Sequence, residues 1–198
     1  MNESAVRPRP GGRSARVREA VFDAAVAVLA EQGPAGFTVG EVARRAGVHE
    51  TSIYRRWGTR EGLAVEALLD RSRRELPIPD TGSLREDLAA YAAELIVFLR
   101  APLGRALMHT LTMAADNPTV VAARDEFWAG RFELAGVMVE RAVARGEVPE
   151  GTDSRSVLEL LIAPLHFRMQ ATGEPLGIDL ADHLADLVVR AFSLPLVD

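Results

Sequence analysis

Apolar residues recur at helical spacing near the start of the chain. Between Ser14 and the Gly33-Pro34 pair they fall mostly three or four residues apart, on one side of a helix: Val17, Val21, Ala24, Val28 and Leu29. The glycine and proline end this run. The pattern therefore predicts a first helix over 14–32.

Two short helices follow. Thr38 and Glu41 form a capping-box pattern, in which a hydroxyl and a carboxylate three residues later satisfy free backbone amides. This pattern predicts a helix over 39–46, which ends at Gly47 because glycine readily adopts the tight turn needed there. A second short helix is predicted over 49–56.

A longer helix then leads to the clearest break in the pattern. Thr59 is a helix cap, and the helix that it begins is predicted to reach Glu75. The segment 77–82 contains two prolines and a glycine and interrupts the helical spacing. We therefore expect a domain boundary there, with one domain over 14–76 and another over 83–198.

Caps and breakers divide the rest of the chain into five helices. They are predicted at about 83–100, 102–115, 117–145, 153–172 and 180–193. Sustained strand alternation is absent from the sequence. The sequence thus predicts an all-α protein of about nine helices.

Composition narrows the class of protein. Apolar residues make up 48% and charged residues 26%, as in folded globular proteins, and the absence of cysteine excludes disulfides and thiolate sites. The sequence has neither a signal-peptide pattern nor an apolar run of the ~20 residues that cross a bilayer. We expect a cytoplasmic protein without a membrane segment.

Charge is unevenly distributed. Residues 1–75 carry 13 Arg against 10 acidic residues, whereas the remainder carries 10 Arg against 18. A basic end on an acidic protein favours contact with a polyanion there, although ordinary scatter also explains so small an excess. Residues 1–13 read as a flexible basic arm, which is either a minor-groove contact through Arg7 and Arg9 or a solubilising tail.

The stretch 38–57 divides its residues between two faces. Ile53 and Trp57 lie four apart and can anchor the second short helix to the first. A helix that enters the DNA major groove needs such an apolar back and a short polar front. The front carries His49, Glu50, Thr51, Ser52, Tyr54, Arg55 and Arg56.

The segment FTVGEVARRAGVHETSIYRRWGTREGL, with the helix before it, resembles the N-terminal domain of TetR-family repressors. The resemblance covers roughly residues 14–65. It implies an N-terminal three-helix helix-turn-helix domain and a C-terminal helical domain for ligand binding and dimerisation. It also implies double-stranded operator DNA, a small-molecule effector and a second copy of the chain as partners.

The resemblance assigns roles to residues of the helix-turn-helix. Thr38, Tyr54 and Arg60 should contact phosphates, and Arg45 and His49 should lie near the DNA backbone. Glu50, Thr51 and Ser52 should face the bases, with Arg56 nearby. Each also has a structural or solvent-facing interpretation. Gly40 departs from relatives with a basic residue there, and the acidic Glu50 could accept a hydrogen bond from a cytosine amine.

The C-terminal part contains large side chains that the resemblance assigns to an effector pocket. They are Tyr91, Phe98, Met108, His109, Met113, Phe127, Trp128, Phe132 and His166. Ordinary core packing is the competing interpretation. Arg100, Arg105 and Arg168 are candidates to orient a polar group of the ligand.

The last two helices are broadly apolar. The stretch 157–169 is too apolar for a helix wetted on one whole side, and Leu184, Leu187, Val188 and Phe192 form a stripe on the final helix. A helical dimer seam through 153–172 and 180–193 accounts for both, and burial within one chain is the alternative.

Catalytic motifs are absent from the sequence. It lacks HExxH, GxSxG, Walker and GxGxxG patterns, and its four histidines are scattered. We therefore expect no enzyme activity, cofactor or metal. The leading hypothesis is a repressor released from DNA by an effector; a dimeric binding module without operator binding is the alternative, and a small helical enzyme is a third.

Overall fold

The computed structural model describes residues 12–113 and 116–193, and the side chain of Arg13 is not described. Within these ranges the chain forms nine α-helices and no strand. Their bounds are α1 Arg13–Gly36, α2 Val39–Ala46, α3 Glu50–Trp57, α4 Arg60–Glu75, α5 Leu84–Arg100, α6 Pro102–Met113, α7 Pro118–Ala144, α8 Ser154–Phe167 and α9 Asp179–Phe192. The predicted all-α class and helix order are confirmed.

The first four helices form a compact N-terminal unit. α1 packs against α2 and α4, and α3 packs against α2 and α4. Between α2 and α3, Gly47 adopts the left-handed conformation with φ +66°, which a residue with a Cβ rarely adopts. This turn fixes the direction in which α3 leaves α2.

α4 connects the two halves of the molecule. It packs against α1 and α3 on one side and against α6 and α7 on the other, so eight of its residues are buried. In the second half, α5 packs on α9 and α7 on α8. The apolar side chains of both halves meet in one continuous core.

Two helices are less regular than the sequence predicts. Gly33 is non-helical, so α1 is interrupted where the Gly33-Pro34 pair predicts its end. The predicted helix over 153–172 ends as α8 at Phe167 and continues as a π-helical turn, Arg168–Thr172. Pro164 lies inside α8 and has no backbone N–H group to donate the hydrogen bond of a regular helix.

Three predictions extend beyond the described residues. The basic arm, with Arg7 and Arg9, lies outside them. α6 is predicted to reach residue 115, and its described part ends at Met113. The C-terminal segment 194–198 of the predicted second domain also lies outside them.

Candidate functional site

The inner face of α3 is anchored in the core. Ile53 is 1% exposed and Trp57 is 3% exposed. The Trp57 ring lies 5.8 Å from the Phe22 ring of α1, and its Nε1 donates a hydrogen bond of 3.1 Å to Glu66 of α4. α3 is therefore fixed against both α1 and α4, as a helix that positions its outer side chains precisely must be.

The outer face of α3 presents polar side chains to solvent. Tyr54 is 48% exposed, so its hydroxyl is accessible. Ser52 is half-buried, and the other polar residues of this face are exposed: His49, Glu50, Thr51, Arg55 and Arg56. Arg56 donates to the Ser14 hydroxyl at 3.2 Å. The polar residues predicted for the front are thus exposed or half-buried around α3, with His49, Ser52, Arg55 and Arg56 toward α1 and Glu50 toward α2.

Two threonines cap the helices beside this surface. The Thr38 hydroxyl accepts from the Glu41 amide at 3.3 Å, and the Thr59 hydroxyl accepts from the Gly62 amide at 3.0 Å. Both caps agree with the sequence pattern. Arg60 follows the second cap and is exposed, with bonds to Glu61 and to the Phe37 carbonyl.

Arg45 is already bonded to protein carboxylates. Its guanidinium donates to Glu31 at 2.8 and 2.9 Å and to Glu41 at 2.7 Å. Hydrogen bonds from Arg44 and Arg45 lower the pKa of Glu41 to about 2. Arg45 must give up part of this network to contact a phosphate, and its role on DNA remains a prediction.

Gly40 and Glu50, the two residues that depart from the family pattern, lie next to each other in the structure. A Cβ added to Gly40 would lie 3.0 Å from Oε1 of Glu50. The Glu50 carboxylate therefore occupies the space that a side chain at position 40 would need. The Glu50 side chain of α3 thus lies against α2 at the exposed front, and it would have to shift slightly to admit a larger residue at position 40.

Six predicted pocket residues surround one buried cavity. They are Tyr91, Phe98, Met108, Phe127, Trp128 and His166, and further apolar residues from α4 to α8 complete the wall. The open space is about 30 Å³, which is room for about one water molecule. In this state the cavity is nearly closed.

The other three predicted pocket residues do not line this cavity. Phe132 stacks on Trp128 at 5.5 Å but lines an open groove on the outer side of that ring. His109 and Met113 line a cleft that α6 forms with α1 and α4. They lie one turn apart on one face of α6, whereas Met108 lies on the face toward the cavity.

Arg131 lines the cavity although the sequence did not single it out. It is 3% exposed, and its Nε donates to the Tyr91 hydroxyl at 2.7 Å. Its Nη2 donates to the Leu76 carbonyl, just after α4, at 2.9 Å. No carboxylate of the described residues forms an ion pair with it. Arg131 lies four residues after Phe127, on the buried side of α7. This spacing is the feature of the sequence that could have identified it as a buried residue.

The other polar side chains that line this cavity are Ser72, Tyr91 and His166. Burial raises the pKa of Tyr91, an effect that the Arg131 charge partly offsets. Burial lowers the pKa of His166, and its Nε2 has no hydrogen-bond partner among the described residues. The candidates Arg100 and Arg105 are exposed, and Arg168 is half-buried outside the cavity wall.

The start of α7 rests on the turn between α3 and α4. Asn117 caps α7 by accepting from the amides of Thr119 and Val120, and its side-chain amide donates to the Thr59 hydroxyl at 3.4 Å. A Cβ on Gly62 would lie 2.7 Å from the Thr119 methyl group, so only glycine allows this approach. α7 therefore connects the cavity wall directly to the helix-turn-helix.

The described residues contain no group of three or more histidine, cysteine, aspartate or glutamate side chains that could hold a metal ion. None of the described helices is both long enough and apolar enough to cross a membrane.

Comparisons with known proteins agree with this geometry. The family model described as bacterial regulatory proteins of the tetR family matches residues 21–67, and that of the tetracyclin repressor-like C-terminal domain matches residues 78–188. The HTH-type transcriptional regulator AqdR of Rhodococcus erythropolis is 41% identical over 177 residues, which cover 89% of this chain and 86% of AqdR.

Solved structures of regulators share this fold. The TetR family transcription regulator SCO0332 has a TM-score of 0.81 at 25% identity, covering 90% of this chain and 100% of that one. FadR from Bacillus subtilis, solved with stearoyl-CoA, has a TM-score of 0.56 at 21% identity, covering 86% and 97%. The protein is a helix-turn-helix transcriptional regulator. It belongs to the TetR family.

Proposed function

We propose that this regulator is a repressor that binds a near-palindromic operator as a homodimer and is released by a small-molecule effector. The observation that carries the proposal is α3, which has a buried back and an exposed polar front. In this proposal residues 14–76 bind DNA, and residues 83–198 bind the effector and the second copy. Its partner is bacterial DNA, so the proposed site of action is the cytoplasm, and no catalytic step is involved.

The proposed DNA contacts follow the exposed front. Tyr54 and Thr38 offer hydroxyl groups to phosphates, and arginines around α3 supply positive charge. Glu50, Thr51 and Ser52 face the base edges. The full proposed set is Thr38, Arg45, His49, Glu50, Thr51, Ser52, Tyr54, Arg55, Arg56 and Arg60.

Exposed apolar side chains support the dimer. Leu160 and Phe167, seven residues apart on α8, are 45% and 62% exposed, and Leu187 on α9 is 43% exposed. Water disfavours such exposed apolar side chains, and a second copy of the chain would cover them in a dimer through α8 and α9. A two-fold axis between the chains would then place two copies of α3 on two half-sites of one operator.

The position of α7 supports control by an effector. Trp128 and Arg131 lie in the cavity wall, while Asn117, at the start of the same helix, contacts the cap of α4. Expansion of the cavity would therefore shift the turn that follows α3. The structure of FadR with stearoyl-CoA supports the view that this fold can hold a small molecule.

Selection from random duplex DNA tests the proposal. The purified full chain should enrich an inverted repeat, and its affinity for that repeat should fall steeply as salt rises, because arginines displace counterions from phosphates. Arg55→Gln should weaken binding to all sequences and reduce the salt slope by about one. Arg100→Gln, an exposed arginine on α5, is the matched control and should change neither. Failure to enrich any sequence would instead favour a binding module without operator binding.

A further inference from the structure

Arg131 is a buried cation that forms no ion pair with any carboxylate of the described residues. Its two hydrogen bonds go to a phenol and to a backbone carbonyl, which are both uncharged. Burial of a charge without an opposite charge is unfavourable, so buried guanidinium groups usually pair with carboxylates. The Tyr91 ring, 4.9 Å from the guanidinium carbon, and the C-terminal end of α4 stabilise the charge in part. The cation nevertheless has no ion-pair partner among the described residues, and it lies beside a cavity whose other walls are mainly apolar.

We propose that the effector is an apolar molecule with a single carboxylate, which pairs with Arg131 and accepts a hydrogen bond from Tyr91. The proposal rests on the effector-controlled function given above and names its ligand class. A guanidinium offers paired donors that match the two oxygens of a carboxylate. Tyr91 accepts a bond from Arg131 and so keeps its own O–H to donate.

The number of cations limits the charge of the ligand. Arg131 is the only arginine that lines the cavity within the described ranges, and lysine is absent from the sequence. A group with two negative charges would therefore bring one charge into the apolar wall uncompensated. The remainder of the ligand must be apolar, since it would contact residues such as Leu95, Phe98 and Leu111.

The apolar part of the ligand requires more space than the closed cavity provides. Trp128, Ile162 and His166 line both the cavity and an open groove of about 530 Å³ on the outer side. The wall between the two spaces is thus one layer of side chains. Rotation of Trp128 would join them and give the ligand both an access route and room for its apolar part.

The same guanidinium connects the ligand to the DNA-binding half. Its bond to the Leu76 carbonyl holds the segment just after α4. A carboxylate is a stronger acceptor for a guanidinium than a backbone carbonyl. Ligand binding would draw Arg131 away from this carbonyl and loosen the end of α4.

Matched pairs of small molecules test the charge requirement. Hexanoate, decanoate and 2-naphthoate are compared with hexanol, decanol and 2-naphthalenemethanol by calorimetry on the full chain, below micelle-forming concentrations. At least one carboxylate should bind about tenfold or more tightly than its alcohol, because hydrogen bonds to charged groups are stronger than neutral ones. Equal binding of every pair, or binding by no carboxylate, would overturn the proposal.

Variants locate the interaction. Arg131→Met should reduce carboxylate affinity about tenfold or more and leave alcohol affinity unchanged. Tyr91→Phe, which keeps the ring, should reduce carboxylate affinity severalfold, and it carries the test if Arg131→Met does not fold. Arg100→Met removes the same charge outside the cavity and should have no effect. Unchanged carboxylate affinity in Tyr91→Phe and in a folded Arg131→Met would overturn the assignment.

Measurement of operator release distinguishes the proposed ligand class from the proposed repressor function. The carboxylate that binds should lower affinity for the selected inverted repeat, and its alcohol should have a smaller effect. A chain that selects an operator but shows no preference for carboxylates would contradict the ligand class and leave the repressor function intact. A chain that selects no operator would contradict the repressor function whatever it binds.

Discussion

At the scale of single residues, the Glu50 carboxylate lies close to Gly40 at the exposed front. The Glu50 carboxylate lies over Gly40, in space that any larger residue at position 40 would claim. An acidic side chain at the front of a DNA-reading helix repels phosphates but can accept a hydrogen bond from cytosine. Glu50 should therefore reduce non-specific binding and select one base pair in each half-site.

Replacement of Glu50 by alanine tests this role. Selection with Glu50→Ala should lose the preference at one base pair per half-site, a change of about 1–3 kcal/mol in discrimination. Affinity for random DNA should rise, because a negative charge leaves the interface. Asp23→Ala removes an exposed carboxylate from α1 and should leave the selected sequence unaltered. An identical sequence preference for Glu50→Ala would exclude base reading by Glu50.

The roles of some residues could be predicted from the sequence, and those of others could not. Thr38 and Thr59 were predictable because a cap is a local event, set by neighbours in the chain. His109 and Met113 line a different cleft from the other predicted pocket residues, because the sequence does not say which face of α6 meets which neighbour. Arg131 was missed because a charged residue in an amphipathic pattern is normally interpreted as solvated.

At the scale of helices, the junction of α4 with α7 matters most. Asn117 performs two tasks there with different atoms: its carbonyl oxygen caps α7, and its amide nitrogen contacts Thr59. Gly62 permits the close approach. The two tasks can be separated by substitution.

Asn117→Ala should lower the free energy of unfolding by about 1 kcal/mol, because α7 loses its cap. Asn117→Asp keeps a capping oxygen and should recover most of that loss, although it lacks the amide donor to Thr59. Urea unfolding of both variants measures the difference. If Asn117→Asp were as unstable as Asn117→Ala, the bond to Thr59 would be the more important of the two.

Helix order and most helix ends followed from caps and breakers. The π-helical turn after α8 did not, because the glycine and proline signals for the end of the segment lie beyond it, at Gly173 and Pro175. Pro164 was visible inside this segment but was interpreted as part of a continuous helix. Interior prolines disturb backbone bonding in ways that depend on the surrounding contacts.

At the scale of the whole molecule, the exposed apolar residues of α8 and α9 form the proposed dimer seam. If the proposed dimer forms, Leu187→Glu should convert it to a monomer and weaken operator binding, because it places a charge in the proposed seam. Val97→Glu makes the same change at an exposed apolar residue of α5 and should remain dimeric. Light scattering after size-exclusion chromatography gives the mass of each variant. If Leu187→Glu remained dimeric, the dimer interface would lie on another face of the protein.

The two tryptophans of the chain are divided between its two halves. Trp57 is buried behind the reading face of α3, and Trp128 stands between the cavity and the groove. Indole emission shifts to shorter or longer wavelength as its surroundings become drier or wetter. The protein therefore carries one natural optical reporter for each half, so that events at the cavity and at the DNA-reading surface can be followed without an attached dye.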